Sequence, residues 1–159
     1  MAFDCFLKIA GIPGESTDDK HADWIEVLSF SHGLSQPSSG SVSSGGSLSA
    51  ERCDHQDFSI VKTLDKASPK LNIFCCNGKE VDEVRMELCR AGGDKQTYME
   101  YIMTKVIVSS VRPGGSAQGG EALPLEEVSF KYRKIEWIYT PESEGAIPAN
   151  WDLETNMGS

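Results

Sequence analysis

Apolar residues recur at every second position through most of this 159-residue chain, and this spacing constrains its fold strongly. In the first segment one face is formed by Phe3, Cys5, Leu7 and Ile9. Asp4 and Lys8 lie on the opposite face. Successive side chains of a β-strand point to opposite sides, so the spacing predicts a strand with one covered face. The whole chain is accordingly predicted to be mainly β.

The same alternation predicts five further strands, at 24–35, 57–64, 81–89, 98–112 and 125–140. The strand at 98–112 carries large apolar residues on both faces, which indicates that other elements pack on both sides of it. In the last strand the apolar phase changes near Arg133 and Lys134, so a β-bulge is expected there. Bulges bend sheets, and we therefore expect a compact antiparallel β-barrel.

One short flanking α-helix is predicted at about 66–77. Ser68 is a suitable N-cap, and Pro69 fits the first helical position because its missing N–H costs nothing there. The spacing i, i+3, i+4 places on one face Leu71, Phe74 and Cys75. Gly78 follows and permits the left-handed conformation that ends helices.

Two segments rich in Gly and Ser, 35–49 and 113–120, are predicted to be flexible loops. The first contains eight Ser and three Gly, a composition that buries too little apolar surface to offset its ordering entropy. Too little chain precedes it to form a separate domain. Residues 1–159 are therefore predicted to form a single domain.

The charge balance narrows the classes of partner. The formal net charge is −9 and the sequence pI is about 4.8. Nucleic acids and anionic membrane surfaces are bound mainly through clustered Lys and Arg, so neither partner is expected.

No apolar run approaches the roughly 20 residues of a membrane-spanning helix. The first residues lack the features of a secretory signal peptide, which predicts synthesis in the cytosol.

No catalytic, cofactor or metal site is predicted. Ser59 and Lys62 match S-x-x-K, but at this spacing two side chains of a strand point to opposite faces. Cys53, His21, His32 and His55 lack the paired spacing of a structural zinc site. The glycine-rich stretches lack the lysine of a phosphate-binding loop. The five cysteines contain no C-x-x-C pair and are predicted to be free thiols.

Five segments, taken in order, resemble one family. They are 6–16, 27–33, 58–71, 108–116 and 124–128, which read FLKIAGIPGES, VLSFSHG, FSIVKTLDKASPKL, VSSVRPGGS and PLEEV. In this combination the chain resembles the haemolysin-coregulated protein family, Hcp. The resemblance covers almost the whole chain.

The resemblance implies a tube protein of the bacterial type VI secretion system. It implies a small β-barrel that assembles into a hexameric ring, and rings that stack into a tube inside a contractile sheath. The implied partners are other copies of the chain, a VgrG-like spike protein, the sheath and baseplate, and small effector proteins held in the lumen. It implies no enzymatic activity and no cofactor. The protein would be made in the bacterial cytoplasm and then secreted without a signal peptide.

Two groups of residues are candidate interaction sites. The small, uncharged face of the strand predicted at 24–35 is expected to line the lumen, with Ser29, Ser31, Gly33 and Ser35. The two flexible loops are expected to mediate ring stacking or contacts between subunits, through Ser38, Ser39, Gly45, Gly46, Pro113, Gly114, Gly115 and Ser116. Their ordering costs conformational entropy, which predicts weak stacking.

A monomeric β-barrel that holds a small ligand is the alternative function, since closed barrels often enclose one. The mass of the particle in solution separates the two classes. A hydrolase that acts through Ser59 is the third and least favoured class of function.

Overall fold

The computed structural model describes residues 3–39, 49–92, 95–120 and 123–159. In chain order the elements are β1 (Phe3–Ile9), β2 (Ile25–Glu26), β3 (Ser29–Ser31), β4 (Leu34–Ser35), β5 (Ser38–Ser39), β6 (Ser49–Ala50), β7 (Asp54–His55), β8 (Phe58–Thr63), α1 (Ser68–Asn77), β9 (Val81–Arg90), β10 (Thr97–Gly114), β11 (Leu125–Tyr139), β12 (Ile147–Asp152) and β13 (Met157–Gly158). Every strand pairing is antiparallel. The predicted mainly β fold with one helix is confirmed.

A closed circuit of hydrogen-bonded strands forms the barrel. β8 pairs with β11, β11 with β10, β10 with β9, and β9 with β1. The segment 25–31 completes the circuit because it changes partner midway. Its first half bonds to β1, with the Val27 amide donating to the Cys5 carbonyl at 3.0 Å. Its second half bonds to β8, with the Leu28 amide donating to the Val61 carbonyl at 2.8 Å.

This change of partner corrects the prediction of one continuous strand over 24–35. The segment is divided among β2, β3 and β4. Of the large apolar residues that alternate in this segment, Phe30 packs against the core, whereas Leu28 and Leu34 are exposed. A chain that crosses from one strand partner to another cannot keep a single buried face.

Apolar side chains fill the interior of the barrel. The fully buried ones include Leu7, Phe58, Ile60, Met86, Met103, Phe130 and Ile135. Burying a side chain of this size stabilises a fold by about 1.5–3 kcal/mol. The alternation in β1 is confirmed at Cys5, Leu7 and Ile9, while Phe3 is exposed at the strand end.

The phase change in the long β10–β11 pair is real, but its cause differs from the prediction. The register runs unchanged past Arg133 and Lys134, so no bulge lies there. Instead Lys105, on the partner strand, has a left-handed backbone with φ of 53°. At this point the next buried residue lies three positions along the strand instead of two: Val106 follows Met103 in β10, and Ile135 follows Tyr132 in β11.

The same shift corrects the prediction that 98–112 is covered on both faces. Met103, Val106 and Val108 are buried, whereas Ile107 is exposed and Ile102 half-buried. The strand therefore has one buried face, which changes phase at Lys105. The register shift that does occur between β10 and β11 lies between Val108 and Ser110.

The helix α1 begins two residues later than predicted. Ala67 is its N-cap residue, with no side-chain cap, and Ser68 is the first helical residue. Ser68 lies one position past the N-cap, where its hydroxyl donates to the Glu126 carboxylate at 2.7 Å and accepts from the Asp65 amide at 3.1 Å. Leu71 is fully buried, with Phe74 and Cys75 packed beside it as predicted. Gly78 ends the helix with φ of 65°.

The segment predicted as a loop at 35–49 carries paired strands at its two ends. β4 pairs with β7 and β5 with β6, and we call this two-stranded structure, residues 34–39 and 49–55, the ribbon. In the second predicted loop, Pro113 and Gly114 belong to β10 and pair with Glu126 and Leu125. On the opposite edge from β10, β11 pairs with β8 through its first half and with β12 through its second.

Candidate functional site

The residues predicted to line a lumen are divided between two parts of the structure. Ser29 and Ser31 lie on β3, where both are exposed on the outer face of the barrel wall. Gly33 follows β3, and a Cβ placed on it would lie 2.4 Å from the Gln56 side-chain oxygen. Ser35 is exposed on β4, in the ribbon. The structure therefore brings together Ser29 and Ser31 but places Ser35 elsewhere.

Strand pairing extends this outer face into a row of hydroxyl groups. Directly opposite one another on four adjacent strands lie Ser31, Ser59, Ser129 and Ser110, and we call these four residues the hydroxyl row. The Ser59 and Ser129 hydroxyls lie 2.9 Å apart. Periodicity within one strand gave no signal for this row, because its members come from four distant segments.

The neighbouring row on the same face carries both signs of charge. Ser29 pairs with Val61, Val61 with Glu127, and Glu127 with Arg112. The carboxylate and the guanidinium of the last pair are exposed on adjacent strands. Together the two rows form a polar surface with one row of serines and one row in which the two charges balance.

The S-x-x-K residues do not meet. Ser59 lies on the outer face of β8, whereas Lys62 points to the inner face with Phe58 and Ile60 and is fully buried. As predicted, the i, i+3 spacing of a strand separates the two side chains.

Lys62 instead belongs to a buried polar network that sequence reasoning missed. Its ammonium donates to Glu126 at 2.7 Å and to the Ser68 hydroxyl at 3.2 Å, and lies 3.0 Å from Asp65. Glu126 is opposite Lys62 in the β8–β11 pair. Two of the five family-like segments, 58–71 and 124–128, are therefore joined through this network.

A second polar network covers the outer side of β1 and β9. Buried His21 stacks on Phe6, and its two ring nitrogens lie 2.8 Å from Asp18 and 2.5 Å from Glu87. Hydrogen bonds from Lys95 and then from His21 lower the pKa of Asp18 to about 2. Both carboxylates face His21, so this histidine serves the packing of the 13–24 loop on the sheet.

The predicted stacking residues lie at two separate places. Ser38 and Ser39 belong to β5 in the ribbon. Gly115 and Ser116 follow β10, beside a surface cleft that Leu64, Leu123 and Pro124 also line. Gly45 and Gly46 lie outside the described residues.

In the described part of the chain, no group of three metal-ligating side chains comes together. All five cysteines are free thiols, and burial raises the pKa of Cys5 to about 12. No helix in the described ranges is long and apolar enough to span a membrane.

Comparison with known proteins gives consistent results. The family model described as "Type VI secretion system effector, Hcp" matches residues 6–139. Protein hcp1 of Pseudomonas aeruginosa is 36% identical over 164 residues, covering 99% of each chain. The Major exported protein of the same species is 26% identical and covers 79% of this chain and 74% of that protein.

Solved structures share the whole fold. A structure described as a type six secretion system protein has a TM-score of 0.92 at 35% identity, covering 99% of this chain and 100% of that one. Hcp1 of Salmonella typhimurium has a TM-score of 0.85 at 33% identity and covers 100% of both chains. The family model, the sequence relatives and the solved structures agree over nearly the whole chain, and the chain belongs to the Hcp family of type VI secretion system proteins.

Proposed function

We propose that this chain is a tube subunit of a type VI secretion system, in which six copies close into a ring and rings stack into a tube. Family membership supports this assignment, and one structural observation supports the placement of the channel: the hydroxyl row on the outer side of the barrel wall. In this row Ser31 is exposed, Ser59 and Ser110 are half-buried and Ser129 is buried. A curved wall of hydroxyl groups, with opposite charges that balance beside them, suits a water-filled channel that accepts varied cargo. The barrel is the building block and the channel lies between copies.

The alternative, a monomeric barrel with a ligand inside, is disfavoured by the packed interior. Phe58, Phe130 and Met103 are fully buried in the space that a ligand would occupy. Small barrels are commonly filled by side chains in this way.

Particle mass tests the ring. Light scattering of the purified chain should give about 104 kDa, six times the 17.3 kDa of one chain. Negative-stain images should show annular particles with a hollow centre. A particle that keeps the mass of one chain at all concentrations would contradict the proposal.

The lumen assignment has a separate test at Ser31. Replacing this exposed residue by Gln adds a longer side chain to the hydroxyl row. Ser31→Gln should retain the ring mass but reduce co-purification of a cognate effector several-fold, because the channel wall is no longer small. Ser143→Gln, at an exposed serine outside the row, is the matched control. Equal effector retention in both variants would remove the lumen role of this face.

The partners in secretion complete the proposal. Stacked rings would lie inside the contractile sheath, on the baseplate and behind a VgrG-like spike, and would leave the bacterial cytoplasm with effectors on contraction. We infer a structural role without catalysis, so Ser59→Ala should leave secretion unchanged. Detecting the chain in the culture medium of wild-type but not sheath-deleted cells tests the export route.

The ribbon and the 113–120 turn are the proposed contacts between rings. Ser38 and Ser116 are both exposed, so a bulky acidic residue at either would oppose the close approach of two rings that already carry net negative charge. Ser38→Glu and Ser116→Glu should shorten tubes in electron micrographs and leave the mass of single rings unchanged. Tubes of wild-type length in both variants would exclude these residues from stacking.

A further inference from the structure

His32 lies in an aromatic enclosure at the root of the ribbon. Its ring centroid is 5.3 Å from Phe58, 5.9 Å from Tyr132, 6.3 Å from Tyr101 and 6.4 Å from Trp137. These rings come from β8, β10 and β11, three strands of the barrel. His32 therefore connects the chain that enters β4 to the barrel.

Neither ring nitrogen of His32 has a hydrogen-bond partner among the described residues, although both atoms are buried. A protonated imidazole has two N–H donors that need acceptors. A buried charge without acceptors is costly, so the enclosure favours the neutral ring.

His55 joins the same enclosure from the other strand of the ribbon. Its Nδ1 lies 2.9 Å from the Tyr132 hydroxyl, and its ring packs edge-on against Tyr132 at 5.7 Å. It is directly opposite Leu34 in the β4–β7 pair. Tyr132 thus contacts both histidines, and both strands of the ribbon are attached to the barrel through them.

We propose that His32 and His55 form an acid-sensitive latch, which holds the root of the ribbon on the barrel at neutral pH and releases it in mildly acidic solution. The latch itself depends only on these contacts. Its consequence for ring stacking rests on the proposed function, because the ribbon carries Ser38 and Ser39.

The electrostatic surroundings agree with this proposal. Burial, and then the neighbouring His55, lower the pKa of His32, and burial lowers the pKa of His55. The facing titratable groups from β10 and β11 are Tyr101 and Tyr132, and burial raises the pKa of both, so neither supplies an anion.

Two further titratable groups lie around Tyr132. Cys53 on the ribbon side and Asp57 before β8 both act on this tyrosine. The Asp57 carboxylate accepts a hydrogen bond from the Ser109 hydroxyl at 2.8 Å. Neither group is among the causes of the lowered pKa values of the two histidines, which are burial and, at His32, the neighbouring His55.

The sign of the effect follows from the lowered pKa values. A released histidine has the ordinary pKa of 6.5, whereas the latched one has a lower value. As pH falls through about 6.5, the released state binds protons first and is favoured increasingly until the lower pKa is passed. Each unit of lowering corresponds to a factor of about ten in the equilibrium.

Hydrogen exchange on the full chain tests the latch. The Gln56 amide donates to the Gly33 carbonyl at 2.9 Å at the root of the ribbon, and the Leu28 amide in the barrel wall is the internal control. Between pH values of about 7.5 and 5.5, the peptide containing Gln56 should lose protection, by up to about tenfold for each unit by which the pKa of a latched histidine is lowered, after correction for intrinsic exchange. The peptide containing Leu28 should keep its protection. Unchanged protection at Gln56 would overturn the proposal.

A double variant provides the second arm. His32→Phe fills the aromatic enclosure without a titratable group, and His55→Gln keeps a neutral partner for Tyr132. The Gln56 peptide of this variant should stay protected at both pH values, and loss equal to that of the wild type would overturn the latch. If the variant does not fold, the change in Gln56 protection of the wild type between the two pH values decides whether the latch exists.

Light scattering of the same samples separates the latch from the proposed function. Shorter tubes at acidic pH with intact rings are expected. The mass of one chain at neutral pH would contradict the ring, and Gln56 exchange would still decide the latch.

Discussion

At the scale of single residues, the burial of Lys62 is the strongest constraint. Its ammonium has no exposed surface and contacts Glu126, Asp65 and the hydroxyl of Ser68. Removing one member of a buried charge network leaves the others uncompensated, which is more costly than never having the network. The network therefore determines how β8, α1 and β11 fit together.

Lys62→Met tests this network. We expect the free energy of unfolding in urea to fall by about 3–5 kcal/mol, because the buried Glu126 carboxylate and the half-buried Asp65 carboxylate lose their cation. Lys66→Met, at an exposed lysine in the same segment, is the control and should change it by less than about 0.5 kcal/mol. The double variant Lys62→Met/Glu126→Leu should recover part of the loss. Equal stability of the two lysine variants would contradict the role of the network.

At the scale of elements, two backbone positions terminate or redirect the secondary structure. Gly78 ends α1 with φ of 65°, and Lys105 redirects β10 with φ of 53°. Residues with a Cβ adopt this left-handed region at a cost of about 1–2 kcal/mol. Glycine at position 78 has no Cβ and avoids this cost, whereas the lysine at position 105 does not.

Gly78→Ala should destabilise the protein by about 1 kcal/mol in thermal or urea unfolding. A Cβ at this position meets no atom within 4 Å, so the cost is that of the backbone conformation alone. Gly145→Ala, which also meets no atom within 4 Å and has no positive φ, should be neutral or slightly stabilising. A similar loss in both variants would show that the helix end does not depend on the left-handed turn.

Lys105→Val should also be destabilising although valine favours strands, because a β-branch adds to the cost that the lysine Cβ already has at this position. A β-branched side chain is poorly tolerated at positive φ. Lys131→Val places the same change on β11 at an exposed position whose φ is not positive, and should be neutral or stabilising. If Lys105→Val proved as stable as Lys131→Val, the phase change in the β10–β11 pair would have another cause.

At the scale of the whole molecule, the net charge of −9 opposes the proposed assembly. Like charges on stacked rings repel, and salt screens them over a Debye length of about 10 Å at 0.1 M. Raising the salt concentration from about 0.05 to 0.5 M should therefore lengthen tubes, as measured by sedimentation. The mass of a single ring should stay constant, because screening weakens repulsion between its subunits as well. Tubes that shorten as salt rises would mean that attractive ion pairs dominate the contact between rings.

The sequence alone determined the mainly β fold, the single helix with its Gly78 terminus and the filled, alternating face of β1, because these depend on spacing within one segment. It also placed Ser59 and Lys62 on opposite faces. The five family-like segments pointed to the Hcp family before any tertiary contact was known.

Only the tertiary structure decided which separated residues meet. The hydroxyl row needs the register of β3, β8, β11 and β10, and the Lys62–Glu126 pair needs the same β8–β11 register. The left-handed Lys105 and the histidine enclosure at the ribbon root likewise arise where distant segments pack. Local periodicity reports which face of a strand is covered, but it carries no information about which strand covers it, because that choice is made by the closure of the barrel as a whole.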